Sequence, residues 1–130
     1  MRPQLLQMAH RIACPDEDFA KFAVRLGEWE LTPCMVGNDV GGVLLEKDGE
    51  VHVVIRPEYK CAMYWRKNIR ELMQPLLDRC GYVTTRVSND NIQAHNFVQK
   101  MGFKIAAECN GVTLYMLRNL VNRRQSCQQQ

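Results

Sequence analysis

The chain has 130 residues, of which 46% are hydrophobic and 24% charged, and its formal net charge is +3 at pH 7. This length allows one domain with one hydrophobic core, and the composition is typical of globular proteins rather than disordered or fibrous ones. No apolar run is long enough to cross a membrane. The basic residues form no dense cluster interleaved with aromatics, so the charge pattern does not indicate nucleic-acid binding.

Six cysteines, at positions 14, 34, 61, 80, 109 and 127, are irregularly spaced and form no C-x-x-C pair. The histidines, His10, His52 and His95, show no ligand spacing, so we expect no metal site. The first thirteen residues lack the continuous apolar stretch of a secretory signal. We therefore expect reduced thiols, several of them in the core, and a cytoplasmic protein.

The first half of the sequence predicts a helix and a hairpin. Residues 16–26 place Phe19, Phe22, Ala23 and Leu26 on one helical face, whereas residues 5–13 fit either a short helix or a first strand. Two β-rich runs, 40–46 and 51–56, flank the segment Lys47-Asp48-Gly49-Glu50. An Asp-Gly pair favours a tight turn, so these runs are predicted to form a β-hairpin.

The second half predicts a helix at 65–80 that contains Pro75, a strand at 82–87, a helix at 91–101, and strands at 104–109 and 112–117 joined by Asn110-Gly111. The order strand, helix, strand predicts parallel pairing of 51–56 with 82–87. The predicted fold is therefore α/β, with a mixed, mostly antiparallel sheet, a central parallel strand pair and helices on both faces. We expect one domain over residues 1–122 and a polar tail at 123–130.

The stretch from Asn91 to Phe103, NIQAHNFVQKMGF, resembles the motif N-x-x-A-x-x-[LF]-Y-x-[KR]-x-G-F of the GNAT acetyltransferases and matches six of its positions. The order of elements from about residue 32 to 118 agrees with that family as well, so the resemblance covers about two thirds of the chain. It implies a GNAT fold and an enzyme that transfers an acetyl group from acetyl-CoA to an amine.

The resemblance also implies a set of cofactor-binding residues. In the GNAT family, acetyl-CoA lies where two parallel strands splay apart, and a helix start receives its pyrophosphate. Carried over to this sequence, the first strand contributes backbone groups, the following helix start binds the pyrophosphate, and the motif helix closes the site. These residues are Val53, Val54, Ile55, Arg66, Lys67, Asn68, Ile69, Asn91, Ala94 and Phe97.

The sequence departs from the family in the loop that should bind the pyrophosphate. After Ile55-Arg56-Pro57-Glu58-Tyr59-Lys60 the family usually has a glycine-rich loop, whereas this chain has an insertion at 61–65 and then Arg66-Lys67-Asn68-Ile69. Glycine lets a backbone approach phosphate closely, and the cations Arg66 and Lys67 can partly compensate by charge pairing. Such glycine-poor loops are similar to those of short GNAT-like proteins of tailed bacteriophages, which would work in the host cytoplasm.

Acetyl transfer needs a base, because an amine with a pKa of about 10.4 is protonated at neutral pH. Candidates are Glu28, Glu30, Glu50, His52 and Glu58, and we rank Glu58 and His52 highest. A structural role is the alternative for each, as a solvated turn carboxylate for Glu58 and as a sheet-surface or satisfied core histidine for His52.

Val98 stands where the family often has a tyrosine that protonates the CoA thiolate. His95, Asn96, Tyr64 and Tyr115 are the alternatives for this proton donor. The motif and the basic helix start favour an N-acetyltransferase that acts on a small amine, a protein lysine or a protein N-terminus. The missing glycines and Val98 favour an inactive GNAT-fold protein that binds another macromolecule, for example as a viral accessory or virion component. We adopt the enzyme as the first hypothesis.

Overall fold

The computed structural model describes residues 1–59 and 65–118. The helices among them are α1 (Arg2–Ala13), α2 (Phe19–Arg25), α3 (Trp65–Cys80) and α4 (Ile92–Lys100). The strands are β1 (Glu30–Val36), β2 (Asp39–Lys47), β3 (Glu50–Ile55), β4 (Tyr82–Ser88), β5 (Lys104–Cys109) and β6 (Val112–Arg118), and a short 3-10 turn at Pro57–Tyr59 follows β3. None of the described helices combines the length and the apolar character that crossing a membrane requires.

The predicted fold class is confirmed: the protein is mixed α/β, with a mostly antiparallel sheet that contains one parallel strand pair. The chain divides into two compact units, Met1–Asn68 and Ile69–Gln130. One domain over residues 1–122 stays a prediction, and the predicted tail at 123–130 lies outside the described residues.

In the first unit, β1, β2 and β3 form an antiparallel meander. Asp48 and Gly49 form the turn between β2 and β3 with φ values of 52° and 88°, the left-handed conformation that the Asp-Gly pair predicts. The Glu46 carboxylate accepts a hydrogen bond from the backbone N–H of Gly49 at 3.1 Å. The predicted hairpin is therefore confirmed.

Helices α1 and α2 pack on one face of this meander. Because side chains alternate along a strand, Val43 and Leu45 lie on the same face of β2, and both are buried. They form a hydrophobic core with four helical residues: Leu5, Ala9, Phe22 and Leu26. Residues 5–13, which fitted either a helix or a strand, are thus helical, with Leu5 and Ala9 one turn apart on the buried side.

Helix α2 is shorter than the predicted 16–26. It begins after Asp18, whose carboxylate accepts a hydrogen bond from the backbone N–H of Lys21 at 3.1 Å. This N-cap satisfies a backbone donor of the first turn and leaves residues 16 and 17 outside the helix. Phe19 is 39% exposed, so the predicted apolar face is wrong at that position, whereas Phe22 is buried as expected.

Strand β1 was not predicted, because Pro33 lies inside it and a proline cannot donate a hydrogen bond to a strand ladder. Among the described residues of its unit, β1 pairs with β2, and a strand at the edge of a sheet tolerates proline. Cys34, next to Pro33, is fully buried.

In the second unit, β6 lies between β4 and β5 and pairs antiparallel with both. Asn110 and Gly111, with φ values of 54° and 78°, form the predicted turn, which confirms the second hairpin. Helix α3 matches its predicted bounds and continues through Pro75. Gly81 and Gly102, both with positive φ, follow α3 and α4 as predicted.

Candidate functional site

His52 lies on β3 beside two groups that determine its setting. Its Nε2 atom is 2.6 Å from Oε2 of Glu50, and its ring centroid is 5.6 Å from that of Trp29. Glu50 and His52 share one face of β3 because they flank Val51, which is buried. The His52 side chain is 37% exposed, so the imidazole is supported by neighbours and still accessible to a substrate.

Glu58, the other predicted base, lies in the 3-10 turn after β3 and is engaged in an ion pair. Nη2 of Arg56 donates to its carboxylate at 2.7 Å, and its side chain is 55% exposed. The pKa of Glu58 lies below the ordinary value, because its own backbone N–H and the Arg56 guanidinium stabilise the charged form. A carboxylate with a lowered pKa is a weaker base, so the geometry favours His52 over Glu58.

Arg56 also joins the end of β3 to the start of β2. Its Nη1 atom donates to Oδ2 of Asp39 at 3.2 Å, and the hydroxyl of Tyr59 donates to the same oxygen at 2.5 Å. The Arg56 guanidinium carbon is 5.4 Å from the centroid of the Tyr59 ring. We call Asp39, Arg56, Glu58 and Tyr59 the strand-end cluster. Because its carboxylates already pair with Arg56, this arginine is not a ready ligand for phosphate.

Hydrogen bonding in the strand-end cluster changes two further pKa values. The pKa of Asp39 lies below its ordinary value, chiefly because Tyr59 donates a hydrogen bond to it, and the Arg56 charge adds to this effect. The pKa of Tyr59 is raised, because its hydroxyl proton is bound to the Asp39 carboxylate. No local sequence pattern predicts this cluster, since Asp39 and Tyr59 are twenty positions apart.

The predicted cofactor residues of β3 are half-buried and closely paired with β2. Val54 lies opposite Val43, and Ile55 lies opposite Gly42. A Cβ atom added to Gly42 would lie 2.4 Å from the carbonyl oxygen of Val54, closer than real contacts allow. The close approach of β3 to β2 at Val54 and Ile55 therefore requires a residue without a side chain at Gly42.

The start of α3 has the charge that an anionic ligand requires. Its first turn contains no acidic residue, and Lys67 is exposed there. Asn68 is half-buried and donates a hydrogen bond from Nδ2 to the Met35 carbonyl at 3.3 Å, whereas the Ile69 side chain is buried in the core. Ile69 can thus offer a ligand its backbone only. The side chain of Arg66 and the whole of Tyr64 lie outside the described residues.

Most of the motif at Asn91 to Phe103 has a structural explanation as a pair of helix caps. The Asn91 side chain accepts a hydrogen bond from the backbone N–H of Ala94 at 3.1 Å, as an N-cap does. At the other end, Gly102 and Phe103 donate backbone hydrogen bonds to the carbonyls of Gln99 and Val98, which is a Schellman motif. Phe97, the third predicted contact on α4, is half-buried.

His95 and Tyr115, two of the proposed proton donors, are hydrogen-bonded to each other. Nδ1 of His95 lies 2.7 Å from the Tyr115 hydroxyl, and its Nε2 lies 3.0 Å from the carbonyl oxygen of Ser88. Tyr115 is 1% exposed, whereas the neighbouring Asn96 side chain is exposed. The described residues do not include three His, Cys, Asp or Glu side chains placed to hold a metal ion.

In comparisons with known proteins, no family model matches the chain, and no curated protein matches it in sequence. Solved structures do match. An acetyltransferase from Bacillus subtilis in complex with CoA has a TM-score of 0.67 and 14% identity, over 92% of this chain and 94% of its own. A ribosomal-protein alanine N-acetyltransferase from Escherichia coli has a TM-score of 0.66 and 15% identity, over 89% and 86%. A mutant spermidine/spermine N-acetyltransferase from Vibrio cholerae has a TM-score of 0.70 and 12% identity, over 97% and 96%.

These matches show that the chain has the fold of the GNAT acetyltransferases, as the sequence motif predicted. These three matches cover between 89% and 97% of this chain. At identities this low, they establish the fold, and the chemistry must be argued from the residues.

Proposed function

We propose that the protein is a GNAT N-acetyltransferase that transfers the acetyl group of acetyl-CoA to an amine. The observation that carries this proposal is the structural match to acetyltransferases, one of which contains CoA and covers 92% of this chain. The six-position motif on and around α4 supports the same assignment independently, because it was read from the sequence alone.

Acetyl-CoA binding would use the residues that the resemblance assigns. The backbone of Val53, Val54 and Ile55 would bind the pantetheine arm. The N-terminal turn of α3 would bind the pyrophosphate through Arg66, Lys67 and the backbone N–H groups of Asn68 and Ile69, since this turn is basic and lacks carboxylates. On α4, Asn91, Ala94 and Phe97 complete the proposed set.

His52 is the proposed general base. When bound, acetyl-CoA supplies an activated thioester. The imidazole of His52 takes a proton from the ammonium form of the acceptor, and the freed amine attacks the thioester carbonyl carbon. A C–N bond forms, the C–S bond breaks, and the thiolate leaves with the electron pair. The second proton lost by the nitrogen goes to solvent, and the thiolate takes up one proton, so the products are an amide and CoA thiol.

The acceptor class is an amine, and its identity within that class is open. Two of the structural neighbours are named for different acceptors, a polyamine in one case and an alanine of a ribosomal protein in the other. Acceptor specificity in such folds depends on variable loops and surface helices. A small amine, a protein lysine and a protein N-terminus therefore all belong in the acceptor screen.

We also propose a cytoplasmic site of action, in a bacterial host if the similarity to phage GNAT-like proteins reflects the source. The sequence feature behind this proposal is the glycine-poor segment at 61–69. Labelling of the endogenous protein after cell fractionation would test it, and recovery in a membrane or secreted fraction would contradict it.

A transfer assay tests the proposed function. Purified protein is incubated with acetyl-CoA and a panel of polyamines, lysine peptides and free N-terminal peptides, and release of CoA thiol is followed together with the mass of the acceptor. We expect release of CoA thiol only in the presence of one acceptor class. The mass of that acceptor should rise by the mass of one acetyl group less one hydrogen atom. His52→Ala should lower kcat about 100-fold. Thiol release that does not depend on an acceptor, or no turnover at all, would favour an inactive GNAT-fold protein.

A further inference from the structure

We propose that Glu50 is a positioning residue for His52: its carboxylate holds the imidazole proton on Nε2 and leaves Nδ1 as the atom that accepts the proton of the amine. This inference rests on the proposed function, because it refines the role of His52 in acetyl transfer. The observation behind it is the 2.6 Å contact between Nε2 of His52 and Oε2 of Glu50.

The chemistry of the two groups gives the direction of this hydrogen bond. An ionised carboxylate can only accept, so the imidazole must donate through Nε2. A neutral imidazole carries one N–H, and its lone pair is then on Nδ1. Within the described part of the chain, His52 makes its hydrogen bond through Nε2 and none through Nδ1. Nδ1 therefore keeps the lone pair that can take up a proton from the acceptor amine.

Packing restricts the orientation of the ring as well. The Trp29 ring lies at 54° to the imidazole with a centroid distance of 5.6 Å. On the neighbouring strand, Leu45 is the register partner of His52 and is 6% exposed. With a hydrogen bond at one ring nitrogen and an aromatic side chain against the ring, the imidazole has little freedom to rotate.

Among the described residues, the charged group in direct contact with the His52 imidazole is Glu50. On β2, Lys47 lies opposite Glu50 in the register, and its ammonium group pairs with Glu28 at 3.0 Å. Asp16 is an exposed carboxylate of the same unit and is not one of the candidate bases. It therefore offers a matched control for removal of Glu50.

The tautomer can be measured directly by NMR on imidazole-labelled protein, without acetyl-CoA or acceptor. A His52→Asn sample assigns the His52 signals among the three histidines. In the unsubstituted protein at a pH where His52 is neutral, we expect Nε2 in the protonated range and Nδ1 in the unprotonated range. In Glu50→Ala the signals of the two nitrogens should move towards averaged values, while Asp16→Ala should leave them unchanged. Unchanged His52 signals in Glu50→Ala would overturn the proposal.

Kinetics then test whether this positioning matters for catalysis. We expect Glu50→Ala to lower kcat at least tenfold, within the range of general-base effects, with little change in KM for acetyl-CoA. Asp16→Ala should keep the kcat of the parent. An equal kcat for the two variants would overturn the positioning role. If the parent protein itself transfers no acetyl group to any acceptor, the proposed function and the catalytic part of this inference both fall, and the NMR result separately decides whether Glu50 holds the proton.

Discussion

The Tyr115 hydroxyl lies 2.7 Å from Nδ1 of His95. The neighbouring groups determine which atom donates and which accepts in this hydrogen bond. The carbonyl of Ser88 can only accept, so Nε2 of His95 carries the proton and Nδ1 accepts from Tyr115. The Gln99 amide donates to the same hydroxyl oxygen at 3.2 Å. The chain of hydrogen bonds thus joins α4 to β6 through a phenol that is buried.

Replacing Tyr115 by phenylalanine should destabilise the protein. The substitution removes the partner of His95 Nδ1 and of the Gln99 amide, and a polar group left unsatisfied near the core costs about 1–3 kcal/mol. Urea unfolding followed by circular dichroism measures the change. Tyr82→Phe is the matched control, because Tyr82 is 46% exposed, and we expect a change within about 0.5 kcal/mol. Equal unfolding midpoints for the two variants would contradict the assignment.

The same motif illustrates what the sequence could predict. Asn91, Gly102 and the apolar positions between them act through backbone caps and helix periodicity, and such local features can be read from spacing. The two hairpins were predictable for the same reason, since Asp48-Gly49 and Asn110-Gly111 adopt the left-handed conformation that their residue types favour.

Other features depend on register, which the sequence alone does not give. The pairs Asp39–Tyr59 and His95–Tyr115 each join residues twenty positions apart. Strand β1 was not predicted, because a proline such as Pro33 is compatible with a strand only at the edge of a sheet, and the order of strands in a sheet cannot be read from local sequence. The Glu50–His52 contact had a usable signal, since residues two apart on a strand share a face. The spacing of Glu50 and His52 on a predicted strand therefore already indicated that they are neighbours as well as separate candidate bases.

Gly42→Ala should affect stability and cofactor binding together. The new methyl group would lie 2.4 Å from the Val54 carbonyl oxygen, so β2 and β3 must move apart. We expect a loss of about 1–3 kcal/mol, typical of overpacking, and weaker acetyl-CoA binding, because Val54 belongs to the proposed site.

Gly111→Ala provides the comparison for this effect. Gly111 has a φ of 78° and open space around its Cβ position, so alanine there should cost about 1–2 kcal/mol through backbone conformation alone. Acetyl-CoA affinity should then stay at the parent value. Equal affinity losses in the two glycine variants would contradict the proposed role of the β3 backbone.

The strand-end cluster should make stability depend on pH through Asp39. Its pKa is lower in the folded protein than the ordinary value of 3.8, so its contribution is present above that pH and is lost as the pH falls through the folded pKa. We expect Asp39→Asn to be less stable than the parent at pH 7, with the difference shrinking below about pH 3.8. Denaturant unfolding at several pH values measures this. Asp16→Asn, which removes an exposed carboxylate, is the control and should show no such dependence of the stability difference on pH. A stability difference for Asp39→Asn that stays constant with pH would contradict the proposed contribution of the Asp39 carboxylate.

The described cysteines should differ sharply in reactivity. Burial raises the pKa of the Cys34 thiol to about 12, whereas Cys80 and Cys109 are exposed. Since the thiolate is the reactive form, a short pulse of alkylating reagent at pH 8 should label Cys80 and Cys109 and leave Cys34 unmodified until the protein is unfolded. Peptide mass spectrometry measures the labelling. Rapid modification of Cys34 in the native protein would contradict the burial of this side chain on β1.

Charge reversal at the start of α3 tests the proposed pyrophosphate site. Lys67→Glu should weaken acetyl-CoA binding by about tenfold or more, because it replaces an attractive charge with a repulsive one beside a polyanion. The control is Lys104→Glu, which makes the same change of net charge at an exposed position on β5. Similar affinities for the two variants would contradict the placement of the pyrophosphate at α3.

The most direct test of the central claim is calorimetric titration of the purified protein with acetyl-CoA. We expect saturable binding with one site per chain, accompanied by a rise in the midpoint of thermal unfolding. If no heat of binding and no thermal shift are detected up to about 1 mM acetyl-CoA, the protein has the acetyltransferase fold without the acetyltransferase chemistry.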